Sequence, residues 1–502
     1  MSAHLSVPGL SLRPVSGEQL LDEASRDELL AMCRQAAAAA RQRKLPVLVS
    51  WAAPLPHVDP AALWSRARES ADRSLYWQSG WDRSSLVAIG AAHDLTGHGE
   101  DRIRSVAASW EELVQEPVAG GSGIGLPTGQ GPVLVGGFSF APSTTPGATA
   151  LPDALMWVPA LQVRSSATVP GTTGTTAPDE LRLNAVMFPG GEPEQIAKDL
   201  VHLAELCLLP ESAAPRADGV WRQQHGSLLD RQELPSPERW KDLVGRAVGR
   251  IRNGAFEKVV LARELRVTAD GPFDVPAAVE SMRSTYPDAT VFAVEHDRHA
   301  FVGATPEYLV RLTDGTAHAL GLAGTAPRGA TAQVDAELEA QLRNSAKIRH
   351  EHDVVVRMLR DALHPTCAHV EASPEPTVLK LANVQHLATV VEGRGVQPDL
   401  GILQFVERLH PTPALGGYPR EQSLDWLAHN EGLERGWYAG TIGWTDGSGQ
   451  GEFAVAIRCA LIHDNIASLY AGCGIVADSD PEEEYAETCA KLLPMLHALG
   501  IE

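Results

Sequence analysis

At 502 residues the chain is long enough to bury a large core, and its length allows two to four domains or one oversized α/β unit. A composition of 44% hydrophobic and 21% charged residues, with no apolar run near the roughly 18 residues a bilayer requires, excludes a helical membrane protein. The net charge of −21, from 42 Lys plus Arg against 63 Asp plus Glu, excludes backbone-directed nucleic-acid binding and adhesion to anionic membranes, because both need basic patches.

The N-terminus, MSAHLSVPGLSLRPVSGEQLLDEASRDELL, has no basic start followed by an apolar core and a small-residue cleavage site, so a cytoplasmic protein is expected. Periodicity predicts a helix over 17–43, then strands at 46–50 and 85–92. A Gly-rich stretch (120–132) and a Thr-rich stretch (165–180) read as surface loops flanking strands at 132–140 and 154–164. A helix at 192–208 and a connector at 209–227 close the first half. The compositional seam near residue 230 divides the chain into 1–230 and 231–502.

The second half opens with a helix at 238–254, whose terminal Gly254 delivers the chain into a strand at 256–267. Further strands are predicted at 290–295, 300–302, 307–313, 317–322, 438–445, 452–463 and 466–473, with helices at 332–363 and 481–499. Strands in hairpin-like succession among long helices predict an α+β fold with largely antiparallel sheets. Cys33, Cys207, Cys367, Cys459, Cys473 and Cys489 are far apart and lack C-x-x-C spacing, so neither a zinc site nor a disulfide framework is expected.

Chemistry concentrates in the second half. In GAFEKVVLAREL, alternation puts Lys258 on the strand face of Phe256, Val260 and Ala262, where a cation needs a reason. Glu307 follows a Gly-Ala-Thr-Pro turn; held half-buried, it would have a raised pKa and could act as a general acid. In KIRHEH, His350 and His352 point about 200° apart on a helix and cannot chelate one ion, which leaves Glu351 as a single carboxylate donor. The last helix has Asp480 as N-cap and Pro481 at its first position, and spacing puts Glu484, Glu487 and Lys491 on one face. These are either an ordinary i,i+4 pair or donors for Mg²⁺, which takes only one or two protein carboxylates. LGLAGTAPRGA (320–330) and AGCGIVADSDP (471–481) offer small residues whose N–H groups can approach an anion, and Arg458 invites a carboxylate.

In order, KVVLAR, ATPEYL, GLAGTAPRG, KIRHEH, NVQHL, LHPTPALGGYPR, GWYAGTIGW, AIRCA and GCGIVADSDPEEEYAET resemble the chorismate-binding domain shared by isochorismate, salicylate, anthranilate and aminodeoxychorismate synthases. The resemblance covers 231–502; in the first half only WQSGWDRSSLVAIGAA and GPVLVGGFSFAP match, weakly. It implies two antiparallel-sheet subdomains packed face to face as an α/β sandwich, helices outside and the active site between them. Lysine at position 258, where ammonia-using members usually carry glutamine or another non-basic residue, implies water as nucleophile, and Ala414 is of the isochorismate-synthase type. The implied reaction is Mg²⁺-dependent conversion of chorismate to isochorismate, with Lys258 as base and Glu307 as acid. The implied metal carboxylates are Glu351 and Glu487, with Glu484 nearby. The implied substrate contacts are Gly324, Thr325, His386, Ala414, Tyr438, Arg458, Gly472, Gly474 and Lys491. Length and the ALGGYPR wording lean toward a menaquinone pathway. A siderophore-pathway enzyme, a salicylate synthase and a non-catalytic family scaffold are the alternatives, and the oligomeric state stays open between monomer and homodimer.

Overall fold

The computed structural model describes residues 20–122, 131–143, 149–165, 179–209, 228–381 and 384–501. The loops expected at 120–132 and 165–180, and the connector at 209–227, lie largely outside these residues.

Strand alternation explains how one chain builds two cores. In the strand Thr290–His296, Phe292 and Val294 enter a core layer with Leu86 and Ala88 of the strand Ser85–Gly97. The intervening Val291, Ala293, Val87 and Ile89 enter the other layer. That second layer is closed by the helices Glu23–Arg43, Pro60–Ala67, Pro193–Leu208, Val275–Thr285 and Pro481–Ala498.

The first layer draws from two sheets. One runs, neighbour by neighbour, through Val118–Gly121, Val47–Leu55, Asp179–Met187, Ala154–Ser165, Ser85–Gly97, Arg73–Gln78, Thr290–His296, His299–Thr305, Cys459–His463, Ile466–Ile475, Lys258–Ala269 and Leu228–Leu234. The other runs through Val133–Phe138, Thr441–Asp446, Gly451–Val455, Tyr308–Thr313, Thr316–Pro327 and Val384–Val396, with Cys367–Ala372 and Thr377–Lys380 on its far edge. Ala154–Ser165 joins them, pairing with Val133–Phe138 at its start and with Asp179–Met187 at its end. Among the described pairings only Val47–Leu55 with Val118–Gly121 is parallel. The expected α+β class with antiparallel sheets is the observed one. The seam near residue 230 is bridged: Arg73–Gln78 pairs with Thr290–His296, and Val133–Phe138 with Thr441–Asp446.

The chain crosses between sheets at short links that lie side by side. Residues 306–307 join His299–Thr305 to Tyr308–Thr313, and residues 456–458 join Gly451–Val455 to Cys459–His463. Ala304 N donates to Arg458 O at 3.1 Å, and Val455 N donates to Glu307 O at 3.0 Å. Beside them Ala439 N donates to Ala456 O at 2.8 Å.

Two expected elements are divided. The strand predicted over 452–463 breaks because the chain changes sheets there, with Arg458 at φ 51°. The helix predicted over 332–363 is two helices, Ala332–Asn344 and Ala346–Leu363. Ser345 takes an extended conformation between them and its hydroxyl caps Ile348 N at 3.3 Å, a strong N-cap preference overriding helical periodicity. Among the described residues no helix is long and apolar enough to cross a membrane.

Phe301 fills the layer between the sheets, its ring 5.6 Å from Phe292 and edge-on to Trp437 at 5.9 Å. Phe301→Ala is expected to cost about 3–5 kcal/mol, read as a lowered midpoint of urea unfolding followed by circular dichroism.

Candidate active site

The strand Lys258–Ala269 brings Lys258 and Val260 to a cavity of about 280 Å³ between the two sheets. Lys258 is 3% exposed and its Nζ lies 2.6 Å from Glu351 Oε1. Glu351 arrives on the second turn of the helix Ala346–Leu363, the helix whose start the Ser345 break defines. Gly474 makes room for the pair: a Cβ there would sit 2.6 Å from Lys258 Cε and 2.9 Å from Glu351 Oε1.

The links between sheets supply the next groups. Glu307 is 4% exposed, and burial pushes its carboxyl up to about 8 against the opposing pull of Arg458, Lys258 and Lys491. At neutral pH it therefore keeps its proton. Arg458 is buried, which works against its charge, while the Glu487 carboxylate favours it. Arg458 and Ala439, at φ 51° and 59°, adopt left-handed backbone that L-residues seldom take, a strain that surrounding structure must hold in place. Tyr438 stacks on Tyr470 with ring centroids 5.2 Å apart.

The helix Pro481–Ala498 closes a third side. Asp480 caps it through bonds from Glu482 N and Glu483 N at 2.9 and 3.1 Å. One helix face then presents Glu484, Glu487 and Lys491 to the cavity. Lys491 Nζ lies 2.6 Å from Glu487 Oε1 and donates to Gly472 O at 2.9 Å. Burial works to raise the Glu487 carboxyl, but Lys491 and Arg458 hold it below its ordinary value.

On the remaining side His386 Nδ1 donates to Gly324 O at 3.0 Å and lies 3.3 Å from Thr325 Oγ1. Burial, then Arg458, push this imidazole down to about 3, so it is neutral. Its Nε2 is then a buried acceptor with no partner. Ala414 and Leu415 complete the wall.

Every residue implied by the resemblance as acid, base, metal carboxylate or substrate contact thus lines this one cavity. Ser345, Ile348, Leu322, Ile457 and Cys473 line it too. Ile348 carries a readable signal, lying three residues before Glu351 on the same helix face. Apolar neighbours alone are expected around Lys258 from strand alternation; the structure adds the Glu351 carboxylate as an ion-pair partner for the buried side chain.

Lys258, Arg458 and Lys491 face Glu307, Glu351, Glu483, Glu484 and Glu487 across the cavity. Among the described residues no three His, Cys, Asp or Glu side chains are grouped to cage a metal. The donor set fits Mg²⁺, which keeps several waters and takes one or two carboxylates, better than it fits zinc.

The family model described as chorismate binding enzyme matches residues 33–500. A salicylate biosynthesis isochorismate synthase from Pseudomonas aeruginosa is 36% identical over 455 residues, covering 91% of this chain and 90% of that protein. The isochorismate synthase MenF of Bacillus subtilis is 33% identical over 468 residues, covering 91% and 94%. Among solved structures, that of MenF, the menaquinone-specific isochorismate synthase from Escherichia coli, superposes with a TM-score of 0.73 at 24% identity, over 93% of this chain and 100% of that one.

The Glu307 environment makes stability depend on pH. Its carboxyl ionises near 4.5 in an unfolded chain but only near 8 in the fold, so stability is lost as pH rises between these values. Glu307→Gln is expected to gain about 3–5 kcal/mol over the parent protein between pH 4.5 and pH 9, measured by urea unfolding at both.

Proposed function

The chain belongs to the chorismate-binding enzyme family, and on that premise we propose that it is an isochorismate synthase, adding water at C2 of chorismate while the C4 hydroxyl leaves. The observation that carries this reading is a buried lysine, Lys258, and a buried carboxyl that holds its proton at neutral pH, Glu307, facing one cavity. Two relatives bearing the isochorismate synthase name, each matched over 91% of the chain, support it.

In this reading Lys258 Nζ takes a proton from the incoming water as its oxygen bonds to C2. Glu307 gives a proton to the C4 oxygen as that bond breaks, so one water enters and one leaves. The proton on Lys258 then returns to Glu307 through solvent. Lys258 acts as a base only as the free amine, so the Glu351 carboxylate that pairs with it must be engaged elsewhere for the step to proceed. A Mg²⁺ held by Glu351 and Glu487, with Glu484 nearby through water, would supply positive charge to the ring carboxylate. Arg458, Tyr438, Lys491 and the backbone at Gly324, Thr325, Gly472 and Gly474 would hold the substrate's carboxylates. His386 Nε2 is free to accept from a substrate hydroxyl.

For the destination of the product we propose menaquinone, on the wording ALGGYPR. Chain length does not argue for it, since the relative named for salicylate biosynthesis is matched over as much of the chain as MenF.

Purified protein given chorismate and Mg²⁺ is expected to form isochorismate without releasing pyruvate; no Mg²⁺-dependent loss of chorismate would remove the proposal. Lys258→Gln is expected to slow isochorismate formation by roughly 10²- to 10⁴-fold with an unchanged circular dichroism spectrum, and ammonium salts to yield some aminated product. A variant at wild-type rate takes Lys258 out of the mechanism. Because Glu307 must be protonated, kcat/KM is expected to fall as pH rises through about 8, in a steady-state pH profile.

A further inference from the structure

The edge of the lysine strand is completed by side chains where no strand reaches it. One edge of Lys258–Ala269 pairs with Ile466–Ile475 from Val259 to Thr268. On the other edge, Gly417–Tyr418 pairs only with Lys258 and Val259, and Leu228–Leu234 only from Glu264 onward. Between them no described strand pairs on this edge with Val260 to Arg263, although Val260 N reaches Gly416 O at 3.1 Å. A buried edge there would leave backbone groups unsatisfied beside the proposed base.

Glu431 and Arg435, which follow the helix Arg420–Asn430, occupy this gap. Ala262 N donates to Glu431 Oε1 at 2.8 Å, and Arg435 Nη2 donates to Val260 O at 2.7 Å. The same guanidinium donates from Nη1 to Leu415 O at 3.0 Å. Its Nε and Nη2 bond both Glu431 oxygens at 2.7 and 2.6 Å. Its Cζ lies 4.2 Å from the Phe140 ring centroid. Both ends of this bridge belong to the catalytic cavity: Val260 shares a strand face with Lys258, and Leu415 adjoins Ala414.

We propose that Arg435 is a positioning residue, whose rigid fork sets the spacing between the lysine strand and the Ala414–Leu415 wall and so aims Lys258 at the substrate ring. The inference rests on the isochorismate synthase reading. A guanidinium can hold two carbonyls and a carboxylate in one plane, whereas a lysine in its place is a single point charge that cannot fix all three. Reacting groups lose rate steeply when misplaced by an ångström, so the effect falls on the chemical step.

Trp240 provides the contrast. Its Nε1 donates to Ala262 O at 3.2 Å on the same strand, without bonding Val260 or Leu415. The test compares wild type, Arg435→Lys and Trp240→Phe in the full chain, by steady-state kinetics with chorismate and Mg²⁺ and by urea unfolding. Both variants are expected to fold with lowered midpoints. Arg435→Lys is expected to lose about 10- to 100-fold in kcat with KM within about threefold of wild type, while Trp240→Phe keeps its kcat. A folded Arg435→Lys enzyme with wild-type kcat overturns the proposal. An equal kcat loss in Trp240→Phe also overturns it, because general loosening would then account for both. Should Arg435→Lys not fold, Glu431→Gln replaces it, with the same expected split and the same overturning results. A wild-type enzyme inactive on chorismate would sink the activity itself, and this inference with it; an active wild type beside an unaffected variant sinks the inference alone.

Discussion

Burial of charge is the constraint on which the rest of this structure depends. Ionised groups held away from water must find a partner or give up their charge, and the cavity between the sheets uses both solutions. Lys258 and Glu351 are 2.6 Å apart, as are Lys491 and Glu487. At Glu307 burial outweighs the attraction of three nearby cations, and the proton stays on. The same principle that makes the pairs stable separates the acid from the other carboxylates and makes it a donor at neutral pH.

The sheets supply the geometry for these charges. Glu307, Tyr438 and Arg458 all stand at or beside links where the chain passes from one sheet to the other, and those links are hydrogen-bonded together. A link can hold φ values that a regular strand cannot, which is how Arg458 is turned inward at φ 51°. The first half of the chain belongs to this scaffold, since its strands continue both sheets and Phe140 supports the Arg435 guanidinium.

Much of the site is legible in the sequence, for a local reason. Alternation places Lys258 and Val260 together, and helical spacing joins Glu484, Glu487 and Lys491; both patterns depend only on residues a few positions apart. The Ser345 break is hidden because one capping hydroxyl outweighs an apolar pattern that runs on through it. The strand Val384–Val396 is hidden because Gln385 and His386 interrupt its apolar character where it meets the cavity. Local rules fail where function replaces a packing residue with a polar one.

By itself the sequence determined the α+β class, the two carboxylate-bearing helices and, through ordered motifs, the family resemblance and the identity of the groups in the cavity. Only the tertiary structure decided how those groups answer one another: that Lys258 meets Glu351, that Glu307 keeps its proton, and that Arg435 bridges Val260 to Leu415. Lys258 and Glu351 are 93 positions apart in the chain, and Val260 and Arg435 are 175 apart. Charge and burial act through space, so contacts made by folding distant segments against one another are written in no local pattern.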